Sequence, residues 1–190
     1  MNQLKKAHTK YPVLELIQNR WSARSFRTDK DISMDDLYTL IEAGSWAASS
    51  SNEQPWKFIL APRGSEQYQK VYDALMDGNK PWCKNAAAFI VCLIRTQVEK
   101  TGKDNFYAMH DLGLANSHIL LQATSMDIAC HPMAGIDKNK LIEVFNIPEG
   151  IKPAVVIALG YLDEAQKLEE PFLTRELTPR NRKSLEEIIM

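Results

Sequence analysis

The sequence predicts a single domain that mixes helices with strands. Three observations carry this. Residues 56–61, 87–94 and 154–160 are short apolar runs with the length and β-branched content of strands. The longer stretches between them repeat apolar residues at helical spacing. The 190 residues contain no internal repeat, low-complexity tract or linker, and they suffice for one substantial core.

In chain order, Val13, Leu14, Leu16 and Ile17 predict a short helix over 11–19. Ser33 is a good N-cap, with Asp35 and Asp36 in the first turn, so a helix follows to about Gly44. The strand at 56–61 ends at Pro62-Arg63-Gly64. Tyr68, Val71, Tyr72 and Leu75 share one side of a helix over 65–76. A buried strand over 87–94 precedes a polar loop, 96–105. The long helix predicted for 106–126 is apolar on more than one face, which requires cover all round, from a central position or from a partner subunit. Asp137 caps a short helix to Phe145, and 154–160 is a second buried strand. The charged segment from Asp163 onward is too polar for a core and long enough to wrap over another surface.

Composition narrows the function. The formal net charge is −1, so nucleic acid or an anionic membrane finds no bulk attraction here, and an anion site must be a local cluster of cations. The longest apolar run, 86–94, falls far short of the ~20 residues that span a bilayer. Lys5 and Lys6 have no apolar stretch behind them, unlike a secretory leader. Cys83, Cys92 and Cys130 lack the spacing of a disulfide framework. The expectation is a soluble cytoplasmic protein with reduced thiols.

No Walker loop, G-x-G-x-x-G, G-x-S-x-G or H-E-x-x-H occurs. His110 and His118 stand eight apart, where coordination from one helix needs four, so no metal site is expected. Two other stretches carry chemistry. In Arg20-Trp21-Ser22-Ala23-Arg24, an extended backbone would aim residues 20, 22 and 24 the same way. Two guanidiniums and a hydroxyl would then share a small volume, suited to phosphate or a planar polar edge. Arg180-Asn181-Arg182-Lys183 could complete that cage. The second stretch, Ser49-Ser50-Ser51-Asn52-Glu53-Gln54-Pro55-Trp56, lines up hydroxyls and amides before a proline that fixes the exit into a strand.

These two stretches, with Pro132-Met133-Ala134-Gly135 and Arg180-Asn181-Arg182, resemble the FMN-dependent nitroreductase family in order and separation along almost the whole chain. One departure is Ala48, where that family usually has proline. Another is the brief 96–105 loop, where its members often carry a larger substrate cover.

The resemblance implies an α+β fold with a mixed, mostly antiparallel central sheet between helices, and an intertwined homodimer with one FMN at each interface. It implies that Arg20, Ser22 and Arg182 hold the FMN phosphate, with Arg180 beside them and Trp21 contributing backbone contact. Arg24 would face the pyrimidine edge. Ser49, Ser50, Asn52 and Gln54 would reach the flavin of the other subunit. Pro132, Met133, Ala134 and Gly135 would run along the ring, with a backbone N–H near Ala134 aimed at N5. The implied activity passes hydride from NADH or NADPH through flavin N5 to a small organic acceptor, a nitroaromatic or quinone, by ping-pong kinetics, with no side chain as acid or base. Ene reduction or reductive dehalogenation on the same scaffold, and a non-catalytic FMN carrier or redox sensor, are the alternatives.

Overall fold

The computed structural model describes residues 3–190. In chain order the elements are α1 (Glu15–Asn19), α2 (Met34–Ser45), β1 (Trp56–Pro62), α3 (Glu66–Asp73), α4 (Lys80–Cys83), β2 (Ala88–Arg95), α5 (Ala108–Ser125), β3 (Ala129–Met133), α6 (Lys138–Val144), β4 (Ile151–Gly160) and α7 (Phe172–Leu177).

The helix starts follow local chemistry. The Ser33 hydroxyl accepts the Asp36 N–H at 3.0 Å while the Asp36 carboxylate accepts the Ser33 N–H at 3.3 Å, a closed capping box for α2. Ser65 caps α3 through the Tyr68 N–H, and Asp137 caps α6 through the Lys140 N–H.

The strands form one sheet in the order β1-β2-β4-β3. All three ladders are antiparallel, so no parallel pair occurs among the described residues; this sharpens the mixed, mostly antiparallel expectation. β2 lies inside the sheet and is buried on both faces, which is why it reads as one continuous apolar run. Phe89 and Val91 face the layer of α3, α4 and α6, with Val71, Trp82 and Leu141. Ile90 and Cys92 face the layer of α2 and α5, with Leu37, Leu40, Leu112 and Ile119. β3 is the strand that periodicity does not reveal: it is five residues long and contains Pro132, which an edge position tolerates.

Within one chain α5 is covered on one face. Its inner face buries Ala108, Leu112, Ala115, Ile119 and Ala123, while Met109 and Leu114 remain exposed. In the C-terminal segment α7 buries Phe172 and Glu176, four residues apart on one face, against its own chain. No helix among the described residues is long and apolar enough to cross a membrane.

Candidate functional site

The segment after α1 turns extended at Arg20 and runs along the sheet margin. The Arg27 N–H donates to the Tyr161 carbonyl at 2.9 Å and the Asp163 N–H to the Ser25 carbonyl at 3.0 Å. His131 on β3 approaches the Ala23 carbonyl at 2.9 Å through Nδ1. A carbonyl only accepts, so that ring nitrogen carries the proton. Burial lowers the His131 pKa to about 4, and the ring is therefore neutral near pH 7.

Arg20 reaches the Ser22 hydroxyl at 3.5 Å. Arg24, the third residue of that expected set, has partners of its own. Its guanidinium lies 5.8 Å from the Trp82 ring centroid and 3.9 Å from the Glu176 carboxylate. Trp82 in turn stacks on His131, with centroids 4.4 Å apart. Glu176 also accepts the backbone N–H groups of Arg24 and Ser25. Sequence reasoning missed Glu176; its one signal was a lone acid four residues after Phe172 in a six-residue helix.

The C-terminal arginines come to Arg20. Arg180 Nη1 donates to the carbonyls of Lys5, Gln18 and Arg20 at 3.0, 3.0 and 2.9 Å. Lys5, a buried lysine the sequence did not single out, donates to the carbonyls of Arg175 and Thr178 and braces the same junction. Burial pulls the pKa values of Arg20 and Arg180 below the ordinary arginine value, and the nearby Arg182 charge lowers both further. Among the described residues, none of Arg20, Arg180 and Arg182 forms an ion pair with a carboxylate. Two desolvated guanidiniums, Arg20 and Arg180, with the exposed Arg182 nearby and no paired acid among the described residues, are an arrangement that an added anion would relieve. Arg20, Trp21 and Tyr161 line a cavity of about 280 Å³, beside which the Asn19 Oδ1 is buried without a hydrogen-bond partner among the described residues. Arg182, Lys183, Lys6 and His8 line a second cleft of about 670 Å³.

Past β3, Ala134 and Gly135 emerge exposed while Met133 stays in the core. The Gly135 carbonyl accepts the Met76 N–H and the Asn79 Nδ2, each at 3.0 Å. A Cβ on Gly135 would stand 2.9 Å from Asn79 Nδ2, so a side chain there would push the Asn79 amide aside.

The 49–54 loop joins α2 to β1. Ser51, Asn52 and Gln54 have φ of 52°, 56° and 47°, the left-handed region that side chains disfavour. The Gln54 N–H donates to the Ser49 hydroxyl, and the Ser50 N–H to the Asp111 carboxylate on α5. No hydrogen bond among the described residues joins this loop to the arginines or to 132–135. All three cysteines are buried; burial pushes Cys130 up to about 12 and raises Cys83 and Cys92 as well, so the thiols are poor nucleophiles. No group of three or more His, Cys, Asp or Glu is placed to hold a metal among the described residues.

The sequence model of the nitroreductase family matches residues 17–161. The chain belongs to the nitroreductase family. The matched span contains 20–24, 49–54 and 132–135 and stops short of Arg180. An Archaeoglobus fulgidus protein provisionally named NADH dehydrogenase/NAD(P)H nitroreductase is 32% identical over 78% of this chain and 84% of that one. The major NAD(P)H-flavin oxidoreductase of Aliivibrio fischeri is 22% identical over 94% of this chain and 98% of its own length. A crystal structure of an oxidoreductase containing FMN is 31% identical, with a TM-score of 0.90 over 96% of this chain and 93% of that chain. The nitroreductase fold is therefore present almost end to end.

Proposed function

We propose that this nitroreductase-family chain binds FMN and uses NADH or NADPH to reduce a small organic acceptor, a nitroaromatic, a quinone or a similar compound. The observation that carries the reading is the convergence of Arg20, Arg180 and Arg182 without a carboxylate, a fit for a phosphate monoester. Arg20, Ser22 and Arg182 would hold that phosphate, with Trp21 giving backbone contact. Arg180 binds three carbonyls through Nη1 and so fixes the junction on which Arg20 stands. Arg24 would meet the pyrimidine edge, backed by Glu176 and Trp82. Pro132, Met133, Ala134 and Gly135 would flank the ring.

A homodimer supplies the rest. Trp46 and Phe106 are 80% and 88% exposed, and Met109 and Leu114 on α5, shortly after Phe106 in the chain, are uncovered too. A second copy on this face would give α5 its missing cover. It would also let Ser49, Ser50, Asn52 and Gln54 serve the other protomer's cofactor.

FMN, when bound, supplies hydride chemistry that no side chain here offers. The chain binds and orients it, and a cation at the pyrimidine edge favours the reduced, anionic form. One pocket serving donor and acceptor in turn gives ping-pong kinetics. The test is an absorbance spectrum of the purified protein, before and after FMN, then before and after NADH and NADPH without oxygen. Flavin absorbance that bleaches with a nicotinamide donor is expected. A preparation that takes up no FMN overturns the reading, and a flavin-loaded protein that neither donor reduces makes it a carrier or sensor.

A further inference from the structure

We infer that Asp111 is a positioning residue that holds the 49–54 loop in the shape it presents to the partner's cofactor; this rests on the FMN reading above. Asp111 lies on α5 and is 1% exposed, and no lysine or arginine pairs with it among the described residues. A carboxylate buried on these terms needs hydrogen-bond donors. Among the described residues it has two polar partners: the Ser50 backbone N–H at 3.0 Å, and Nδ1 of the largely exposed His110 at 3.0 Å. Asp111 thus fastens the first turn of the loop to the helix.

The far end is fastened independently. Arg95 at the end of β2 donates to the Glu53 carbonyl at 3.1 Å, and its guanidinium stands 3.7 Å from the Glu53 carboxylate. That carboxylate also accepts the Glu99 N–H at 3.0 Å. Ser51 and Asn52 between these anchors, and Gln54 just past the second, all take left-handed backbone, and none is glycine. Three such residues within four positions persist only where surrounding contacts over-determine them. The anchors therefore do more than attach a loop: they sustain a backbone shape that a free Ser-Asn-Glu-Gln segment would leave. Because one anchor is α5 itself, the helix whose outer face awaits a second copy, a protomer docked there would meet the loop's hydroxyls and amides in a fixed place.

The experiment compares Asp111→Ala, Asp111→Asn, Arg95→Met and Asn52→Ala in the full chain. Two quantities are read: hydrogen exchange of the 49–54 segment in flavin-free protein, and the FMN dissociation constant by fluorescence titration. Asp111→Ala should speed exchange and raise the dissociation constant about tenfold, the worth of one charge-assisted hydrogen bond. Asp111→Asn keeps an oxygen for the Ser50 N–H and should stay within about twofold of wild type, a rescue that a bulk packing role would not give. Arg95→Met should act like Asp111→Ala, and it carries the test if the latter fails to fold. Unchanged exchange in both anchor variants overturns the clamp. Faster exchange with unchanged FMN affinity, while Asn52→Ala weakens binding, overturns the positioning role and leaves the FMN reading standing. Unchanged affinity in Asn52→Ala together with the anchor variants overturns the loop's part in the cofactor site.

Discussion

Glu176 receives the Arg24 backbone N–H on both carboxylate oxygens, at 3.0 and 3.2 Å, and the Ser25 N–H at 3.3 Å. An acid from the C-terminal helix thereby fixes the backbone of the arginine segment 152 positions earlier. Burial raises the Glu176 pKa despite these donors and despite Arg24, and it lowers the Arg24 pKa despite Glu176. The two shifts agree that desolvation outweighs attraction, so this pair locates the chain more than it stabilises it. Glu176→Ala leaves two backbone donors and a cation unanswered and should cost about 3 kcal/mol of stability. Glu176→Gln, which retains an acceptor, should cost less. Urea unfolding of the two variants decides this; equal losses would refute the hydrogen-bond account.

The arginines divide by what they already hold. Arg20 and Arg182 should each weaken FMN binding by about 10- to 100-fold on replacement by alanine, as expected for a charge-assisted contact to phosphate. Arg180→Ala should instead lower the melting temperature first, because it releases three carbonyls and detaches the N-terminal segment from the 18–20 junction. Fluorescence titration paired with thermal unfolding separates the two outcomes. An Arg182→Ala protein with wild-type affinity would remove Arg182 from the phosphate site.

Stability should fall on acidification through His131. Its folded pKa is about 4, against 6.5 as the ordinary value. Between those pH values the unfolded chain binds the proton and the folded chain resists it, so the contribution is complete above pH 6.5 and lost as pH falls toward 4. The loss amounts to at most about 3 kcal/mol. His131→Phe keeps a ring on Trp82 but cannot titrate, so its unfolding free energy should vary less over this window. Parallel pH profiles for wild type and variant would disprove the assignment.

Gly160 closes β4 against Phe26. A Cβ there would stand 2.7, 2.9 and 3.0 Å from Phe26 Cδ1, Cγ and Cβ, so the whole phenyl group must move. Gly160→Ala should destabilise the fold by about 1–3 kcal/mol. Phe26→Leu in the same chain should recover part of that loss. Thermal unfolding of the single and double variants measures the coupling, and additive effects would show that the crowding is relieved elsewhere.

The sequence by itself determined what local chemistry controls. Ser33, Ser65 and Asp137 begin helices because each side chain answers an N–H three residues on, a contact needing no distant partner. β2 was legible because burial on both faces leaves nine consecutive apolar residues, 86–94, in the sequence. The polar stretches at 20–24 and 49–54 stood out because neither fits a helical or strand period. The tertiary structure alone decided the rest. β3 is a strand by virtue of β4 beside it, and α7 is a helix of six residues, below the length at which periodicity speaks. Glu176, Lys5, His131 and Asp111 gain their roles from carbonyls and N–H groups between 61 and 173 positions away. Pairing at such separations is set by how the layers stack on the sheet, information that the spacing of residues along one chain does not contain.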